Sequence, residues 1–331
     1  MKGNKVTIKT GRGESPGPDY QPRFQRFDRT ISRGLHIRTD VSAKSAIGSL
    51  KRHAEANGRT LKVKKRKGRL RRLRNPAGFE RQYKKLLADR RRNLRERLEE
   101  VLIPQLPEIV DMVSRTRPTT DGIQIRNDET YPERVVKLTE LVKAQHNAVF
   151  TQAELRAQLT GLATGLAGQS RENLELTIKS AIGVDVLASE PWLAAELAQF
   201  VETNMKLVES AEARHMAKIE ESVLRSARQG LRHEELATRI RDIDPAANFN
   251  LIARDQIGSF NGQLNELRQK DVGVKRYIWR TSGDERVRDE HVDRDGETFS
   301  WNEPPEDGHP GQPINCRCYS EPVLEDLIEG S

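Results

Sequence analysis

The chain has 331 residues, of which 35% are hydrophobic, 32% charged and 5% aromatic, with a mean hydropathy of −0.75. This composition excludes a protein built of membrane spans, since no stretch approaches the roughly 18 apolar residues that cross a bilayer. The net charge of +8 is uneven, because the first hundred residues hold 30 Lys and Arg against 10 Asp and Glu. The remaining residues carry an acidic excess of 12, so a basic arm precedes an acidic body.

Residues 1–75 are predicted to form a disordered basic arm. Residues 1–35 are rich in Gly, Pro and Arg, and no apolar run of a secretory signal follows Met1, so we expect assembly in a cytoplasm. Residues 62–74 contain nine bases and no carboxylate, namely Lys62, Lys64, Lys65, Arg66, Lys67, Arg69, Arg71, Arg72 and Arg74. This run predicts sequence-independent contact with nucleic-acid phosphates, and the alternatives are a solubilising tail or docking on an acidic protein surface.

Residues 76–247 are predicted to form a helical domain. Apolar residues recur at spacings of three, four and seven from Phe79 to Leu102, and Pro104 and Pro107 are expected to end this helix. Further helical patterns include Val135 to Val142, Leu155 to Leu162, and Leu197 to Ala227, which Gly230 is expected to close. Two shorter helices around Leu236 and Ile257 follow in the sequence.

Residues 248–331 are predicted to form a small α+β module. The run Tyr277-Ile278-Trp279 is typical of a short strand, and the sequence after it is rich in Gly and Pro, which favours loops. The predicted fold class is therefore mainly α, with a small, loop-rich C-terminal α+β module and a disordered basic N-terminal arm.

Both cysteines of the chain, Cys316 and Cys318, lie in this module one residue apart. A loop-rich unit with few large apolar residues needs an additional constraint, and structural Zn²⁺ takes four Cys and His ligands. His291 and His309 complete a candidate Cys₂His₂ set for zinc. The alternatives are a pair of free thiols or buried packing cysteines, with His309 as a loop residue.

Charges of alternating sign precede His291. Asp284, Arg286 and Arg288, together with Arg317, are interpreted as a network of ion pairs that fixes the loops. The alternative is catalytic, with His291 as a general base and the arginines stabilising a phosphate.

Residues 251–323 resemble the phage Mu F-like head-morphogenesis family. The matching segments are Ala253–Gln256, Trp279–Arg288, His291, Asp295–Phe299, Pro304–Pro305 and Pro310–Cys318. The region from Pro191 to Asp244 is similar to the region that precedes this module in the family. Many relatives have a His two residues before the first Cys, where this sequence has Pro313, and His309 stands seven residues before Cys316.

This resemblance implies a minor head protein that is incorporated into the virion during assembly in the host cytoplasm. Its expected partners are the portal protein and the coat or scaffold proteins, together with packaged phage DNA that the basic arm contacts, and no membrane. The expected role is structural and not enzymatic. The alternatives are a metal-dependent enzyme that acts on nucleic acid or nucleotides through the C-terminal module, and a DNA-binding protein whose main element is the arm.

Overall fold

The computed structural model describes residues 76–116, 130–182 and 190–324. Helices α1 to α7 span Ala77–Arg97, Leu106–Thr116, Tyr131–Val149, Gln152–Ile182, Leu193–Arg228, His233–Asp242 and Ala246–Asp271, and α8 spans Asp289–Asp293. None of the helices in these three ranges is long and apolar enough to cross a membrane. The predicted disordered arm, with the basic run 62–74, lies outside the described residues.

Three short antiparallel strands follow α7. They are β1 (Arg276–Arg280), β2 (Thr298–Ser300) and β3 (Tyr319–Pro322), and β1 lies in the centre. Tyr277 pairs with Phe299 of β2, and Trp279 pairs with Ser320 of β3. The predicted fold class, mainly helical with a small C-terminal α+β module, is confirmed for the described residues.

The chain remains helical where an end had been predicted at Pro104 and Pro107. A π-helical segment at Leu98–Leu102 and a 3₁₀ turn at Ile103–Gln105 lead directly into α2. Each proline is the second residue of its helical segment, where its missing N–H breaks no intrahelical hydrogen bond. The predicted helix end at Pro104 and Pro107 was therefore wrong. The predicted end at Gly230 is confirmed, since Gly230 follows α5 and has a φ of 76°.

The structure divides into two compact units. Of the described residues, the helical unit comprises 77–116, 130–164 and 195–257, and the C-terminal unit comprises 76, 165–182, 190–194 and 258–324. The C-terminal unit thus includes a segment from the middle of the sequence. The predicted domain limits at residues 75 and 247 stay a prediction, because compactness does not measure independent folding.

The core of the helical unit consists of the apolar stripes that the sequence periodicity predicts. Its buried residues include Leu94, Leu98, Leu102, Ile109, Val135, Val142, Ile219, Val223, Leu236 and Ile240. Leu141, which belongs to one of the predicted stripes, is instead 46% exposed. The spacing of i, i+3 and i+4 thus identifies the buried face of each helix but not every member of it.

A buried ion pair joins α1 to α5 within the helical unit. The Arg90 guanidinium donates to both carboxylate oxygens of Glu212, at 2.6 and 2.9 Å, and the Arg90 side chain is 2% exposed. His146 Nε2 lies 3.4 Å from the same carboxylate, while its Nδ1 lies 2.9 Å from Asn93 Oδ1. Burial alone would raise the pKa of Glu212, but the hydrogen bonds from His146 and Arg90 outweigh it and lower this pKa.

Replacing Glu212 by Gln is expected to reduce the free energy of unfolding by about 3 kcal/mol, because the Arg90 charge is then left buried and unpaired. The same change at Glu202, which pairs with Arg156 on the surface, should have little effect. A carboxyl group with a lowered folded pKa stabilises the fold above its unfolded pKa, near 4.5, and loses this effect in acid. Denaturant titrations at pH 7 should separate the two variants, and the Glu212 difference should shrink progressively below pH 4.5. Equal losses at pH 7 would contradict the assignment.

The C-terminal unit depends on a close approach of backbone to backbone. Gly258 and Gly262 lie on one face of α7, against the loop 310–316. A Cβ atom on Gly258 would lie 2.9 Å from the carbonyl oxygen of Cys316, and one on Gly262 would lie 2.6 Å from that of Pro310. Gly311 of the loop, with a φ of 96°, also faces Gly262. Only glycine at these positions allows the loop that carries Cys316 to lie on the helix.

Replacing Gly262 by Ala should therefore destabilise the C-terminal unit, by about 1–3 kcal/mol from overpacking. The control is Gly168 in α4, where an added Cβ meets no atom within 4 Å. Alanine there should stabilise the protein by about 0.4–1 kcal/mol through its helix preference. Denaturant titration of both variants measures the difference, and a stabilising Gly262→Ala change would refute the close approach.

Candidate metal centre

Three side chains from separate segments meet inside the C-terminal unit. His291 lies on α8, Cys316 lies in the turn before β3, and Cys318 directly precedes β3. Their exposed fractions are 2%, 5% and 8%. The Cys316 N–H donates to the Pro313 carbonyl, and Asn315 has a φ of 59°, so the chain reverses just before the first cysteine. This turn lets two cysteines that are two positions apart present their sulfurs to one histidine.

The spacing of these atoms fits a tetrahedral metal ion. His291 Nδ1 lies 3.7 Å from Cys316 Sγ and 3.4 Å from Cys318 Sγ, and all three atoms lie within 4.8 Å of one another. Zinc–sulfur and zinc–nitrogen bonds of usual length at the tetrahedral angle place sulfur and nitrogen about 3.6 Å apart. Among the described residues, His291, Cys316 and Cys318 form the group that could hold a metal ion.

The second nitrogen of His291 is held by a carboxylate. His291 Nε2 lies 2.7 Å from Asp307 Oδ2, and the other oxygen of Asp307 pairs with Arg294. Burial would raise the pKa of Asp307, but hydrogen bonds from His291 and Arg294 lower it, so Asp307 is ionised. When the carboxylate accepts a hydrogen bond from Nε2–H of a neutral imidazole, Nδ1 is the nitrogen with the free lone pair, and it faces the two sulfurs. This is the arrangement that orients histidine ligands of metals.

The two thiols share their protonation. A hydrogen bond from the Cys318 thiol, opposed by burial, lowers the pKa of Cys316 to about 6. The same hydrogen bond, together with burial, raises the pKa of Cys318, while the nearby indole of Trp279 acts in the opposite direction. The lowered pKa of Cys316 favours its thiolate, which is the form that binds a soft cation.

His309 is not brought into this group. Its Nδ1 lies 2.9 Å from the hydroxyl oxygen of Tyr277, and its ring packs against Trp301 with the centroids 4.9 Å apart. Burial lowers the pKa of His309 below its usual value. His309 thus packs against Tyr277 and Trp301. Within the described residues, the predicted Cys₂His₂ set is therefore reduced to Cys₂His.

The predicted charged cluster ties loops together. Asp284 forms an ion pair with Arg317 and accepts a 3.1 Å hydrogen bond from the Arg286 backbone N–H. Arg288 donates to the carbonyl oxygen of Ile314 at 2.7 Å, so it holds the closing loop. Of the four residues of the predicted ion-pair network, Asp284 and Arg317 thus form an ion pair, whereas Arg286 and Arg288 make hydrogen bonds that involve the backbone, so the network stays a prediction. His291, the general base of the alternative interpretation, is buried with both ring nitrogens facing protein groups.

Three features of the centre escaped the sequence analysis. Asp307 stands sixteen positions from His291 in a Pro-rich loop, and Trp279, whose ring centroid lies 5.1 Å from that of His291, was assigned only to a strand. The glycine face of α7 was likewise not recognised. The spacing of four between Gly258 and Gly262 is the one signal that could have indicated a close contact on one helical face.

The comparison with protein families confirms the resemblance. Residues 217–321 match the model of the family described as "Phage Mu protein F like protein". The match begins within α5 and extends to β3, so it includes all three candidate ligands. Over that segment the chain is similar to phage Mu F-like proteins.

A curated relative gives no functional description. An uncharacterized protein of Haemophilus influenzae is 29% identical over 187 residues, which are 54% of this chain and 42% of the relative. The chain thus matches less than half of that protein's length. No solved structure matches the chain.

Proposed function

We propose that this chain, which contains a phage Mu F-like segment at residues 217–321, is a minor head protein that acts in capsid assembly. It is bound at the portal or the inner capsid surface of the virion, and its basic arm contacts packaged DNA without sequence preference. The match to the Mu F-like family carries the proposal. The partners in this proposal are the portal protein and the coat or scaffold proteins.

The chemistry of the candidate metal centre supports a structural role. His291 is 2% exposed, and its two ring nitrogens face the cysteine sulfurs and Asp307. Such a histidine does not reach a substrate. A Zn²⁺ ion held by His291, Cys316 and Cys318 would instead join α8 to the segment before β3, and would stabilise the loops around the aromatic cluster of the sheet.

Purified phage particles test the proposed function. The chain is expected in mature heads, and chemical cross-linking followed by mass spectrometry should connect it to the portal, coat or scaffold protein. A variant lacking residues 217–321 should be absent from the heads, while one lacking residues 1–75 should still be incorporated. Absence of the full chain from both procapsids and mature heads would contradict a role in the virion.

Zinc binding is expected at about one ion per chain, because two thiolates and an oriented imidazole favour zinc. Metal analysis of the full chain, purified without chelator, measures the stoichiometry. Replacement by Co²⁺ should give the thiolate-to-metal absorption band, and Cys316→Ser should remove most of it. A chain that is free of metal and shows no cobalt band would overturn the assignment.

Asp307 provides a sharper test of the same centre. Replacing Asp307 by Asn removes the carboxylate that orients His291, and should weaken zinc affinity by about 10–100-fold. The control is Asp293→Asn. This change removes an exposed carboxylate from α8, the helix that carries His291, and should leave the affinity unchanged. Competition with a chromophoric chelator measures both, and equal affinities would mean that Asp307 does not support a metal ligand.

The basic run is expected to bind duplex DNA through phosphates. One variant replaces six bases of the run by Ala: Lys64, Lys65, Arg66, Lys67, Arg71 and Arg72. Its affinity for unrelated duplexes should fall by similar amounts. The slope of log affinity against log salt concentration, which is about −0.9 per phosphate neutralised, should become less steep.

A second variant, with the same charge loss elsewhere in the arm, is the control. It replaces Lys2, Lys5, Lys9, Arg12, Arg23 and Arg26 by Ala. This variant should retain most of the salt slope, because charge density within the run supplies the contacts. An unchanged slope in the first variant would favour docking of the arm on an acidic protein surface.

A further inference from the structure

A second site lies in the helical unit, apart from the metal centre. A cavity of about 150 Å³ opens between α1, the π-helical segment, α5, α6 and the α6–α7 connection. Its apolar lining residues are Leu98, Ile103, Ile240, Ile243 and Pro245. Its polar lining residues are Arg91, Arg92, Arg95, Glu99, His215, Arg241 and Asp244.

The polar lining contains four arginines and two carboxylates, and one further carboxylate, Asp89, pairs with Arg92 from outside the lining. The carboxylates are already neutralised. Arg91 donates to both oxygens of Asp244 at 2.8 Å, and Arg241 donates to those of Glu99 at 2.7 and 2.8 Å. The hydrogen bond from Arg241 lowers the pKa of Glu99, so this pair is ionised at neutral pH.

Arg95 provides a charge that the fold does not use. Its field lowers the pKa of both Glu99 and Asp244, so it lies near both carboxylates. Within the described ranges, however, its guanidinium makes neither a hydrogen bond nor an ion pair. Arg92, at the rim, is instead paired with Asp89.

His215 adds a second polar side chain to the cavity. It is 7% exposed and lines the cavity, and its ring nitrogens make no hydrogen bond to any residue that the structure describes. These nitrogens are not among the enclosed polar atoms that lack a partner, so they are open to the cavity and can bind water or a ligand. Burial lowers the pKa of His215, so the ring is neutral at neutral pH and offers one N–H donor.

We propose that this cavity binds a phosphate group, either as inorganic phosphate or as the terminal phosphate of a nucleic-acid strand. Arg95 supplies an unpaired positive charge and a planar pair of donors, and His215 offers a neutral donor. The apolar lining residues form the remaining wall of the cavity. A cavity of 150 Å³ holds such a group but is smaller than the sites of drug-sized ligands, which measure about 300–1,000 Å³.

Calorimetric titration of the full chain with inorganic phosphate, at an ionic strength held constant with chloride, tests this site. Saturable binding is expected, and Arg95→Gln should weaken it by about tenfold or more, the effect of losing a charge-assisted hydrogen bond. Arg81→Gln is the matched control, because it removes an equal charge from an exposed position of the same helix outside the cavity lining, and should change the affinity by less than about threefold. Absence of saturable binding, or equal losses in the two variants, would overturn the proposal.

The source of the phosphate is distinguished with two oligonucleotides that differ only in a 5′-phosphate or a 5′-hydroxyl. Because the added charge of the 5′-phosphate can also attract the basic arm, each strand is titrated against both the wild-type chain and Arg95→Gln. If the phosphorylated strand binds more tightly and Arg95→Gln abolishes the difference, the source is a strand end. If the two strands bind equally while inorganic phosphate still binds, the source is the free ion. The proposal fails if neither form of phosphate responds to Arg95→Gln.

Discussion

The backbone contact between α7 and the closing loop is the constraint on which the C-terminal unit depends. Because Gly258 and Gly262 have no side chains, the loop 310–316 lies directly on the helix. That position places Cys316 opposite His291, and the turn at Asn315 brings Cys318 to the same histidine. The cluster is thus set by backbone geometry before any metal ion contributes. A metal ion would bind to a His–Cys group that the packing has already brought together.

Support for the cluster comes from residues that carry no ligand atom for it. Asp307 fixes the outer nitrogen of His291, Arg288 holds the carbonyl of Ile314, and Arg317, between the two cysteines, is anchored to Asp284. Ion pairs and hydrogen bonds of these charged side chains therefore hold the loops at the surface, and the buried His–Cys group holds them in the interior. This arrangement suits the loops around the sheet, where the local apolar cluster consists of a few aromatic and cysteine side chains.

The sequence predicted what depends on local patterns. Helical periodicity located α1 and α3 to α7, and the aromatic run located β1, because these signals repeat within one segment. His291, Cys316 and Cys318 were also predicted, since few residue types bind soft metals. His309 was grouped with them by type alone, whereas the structure pairs it with Tyr277. Asp307 and the face of α7 could not be predicted, because their contacts join positions whose proximity only the folded chain defines.

Hydrogen exchange of the full chain, before and after removal of metal by a chelator, tests the central claim most directly. The account predicts that amides of β1, β3 and residues 310–318 lose protection together when the metal is removed. The amides of α1 and α5 within the helical unit should retain their protection. In the Cys316→Ser variant, treatment with the same chelator should leave the protection of every amide unchanged. Unchanged protection in β1, β3 and residues 310–318 of the chelated wild-type chain would contradict a metal-stabilised unit.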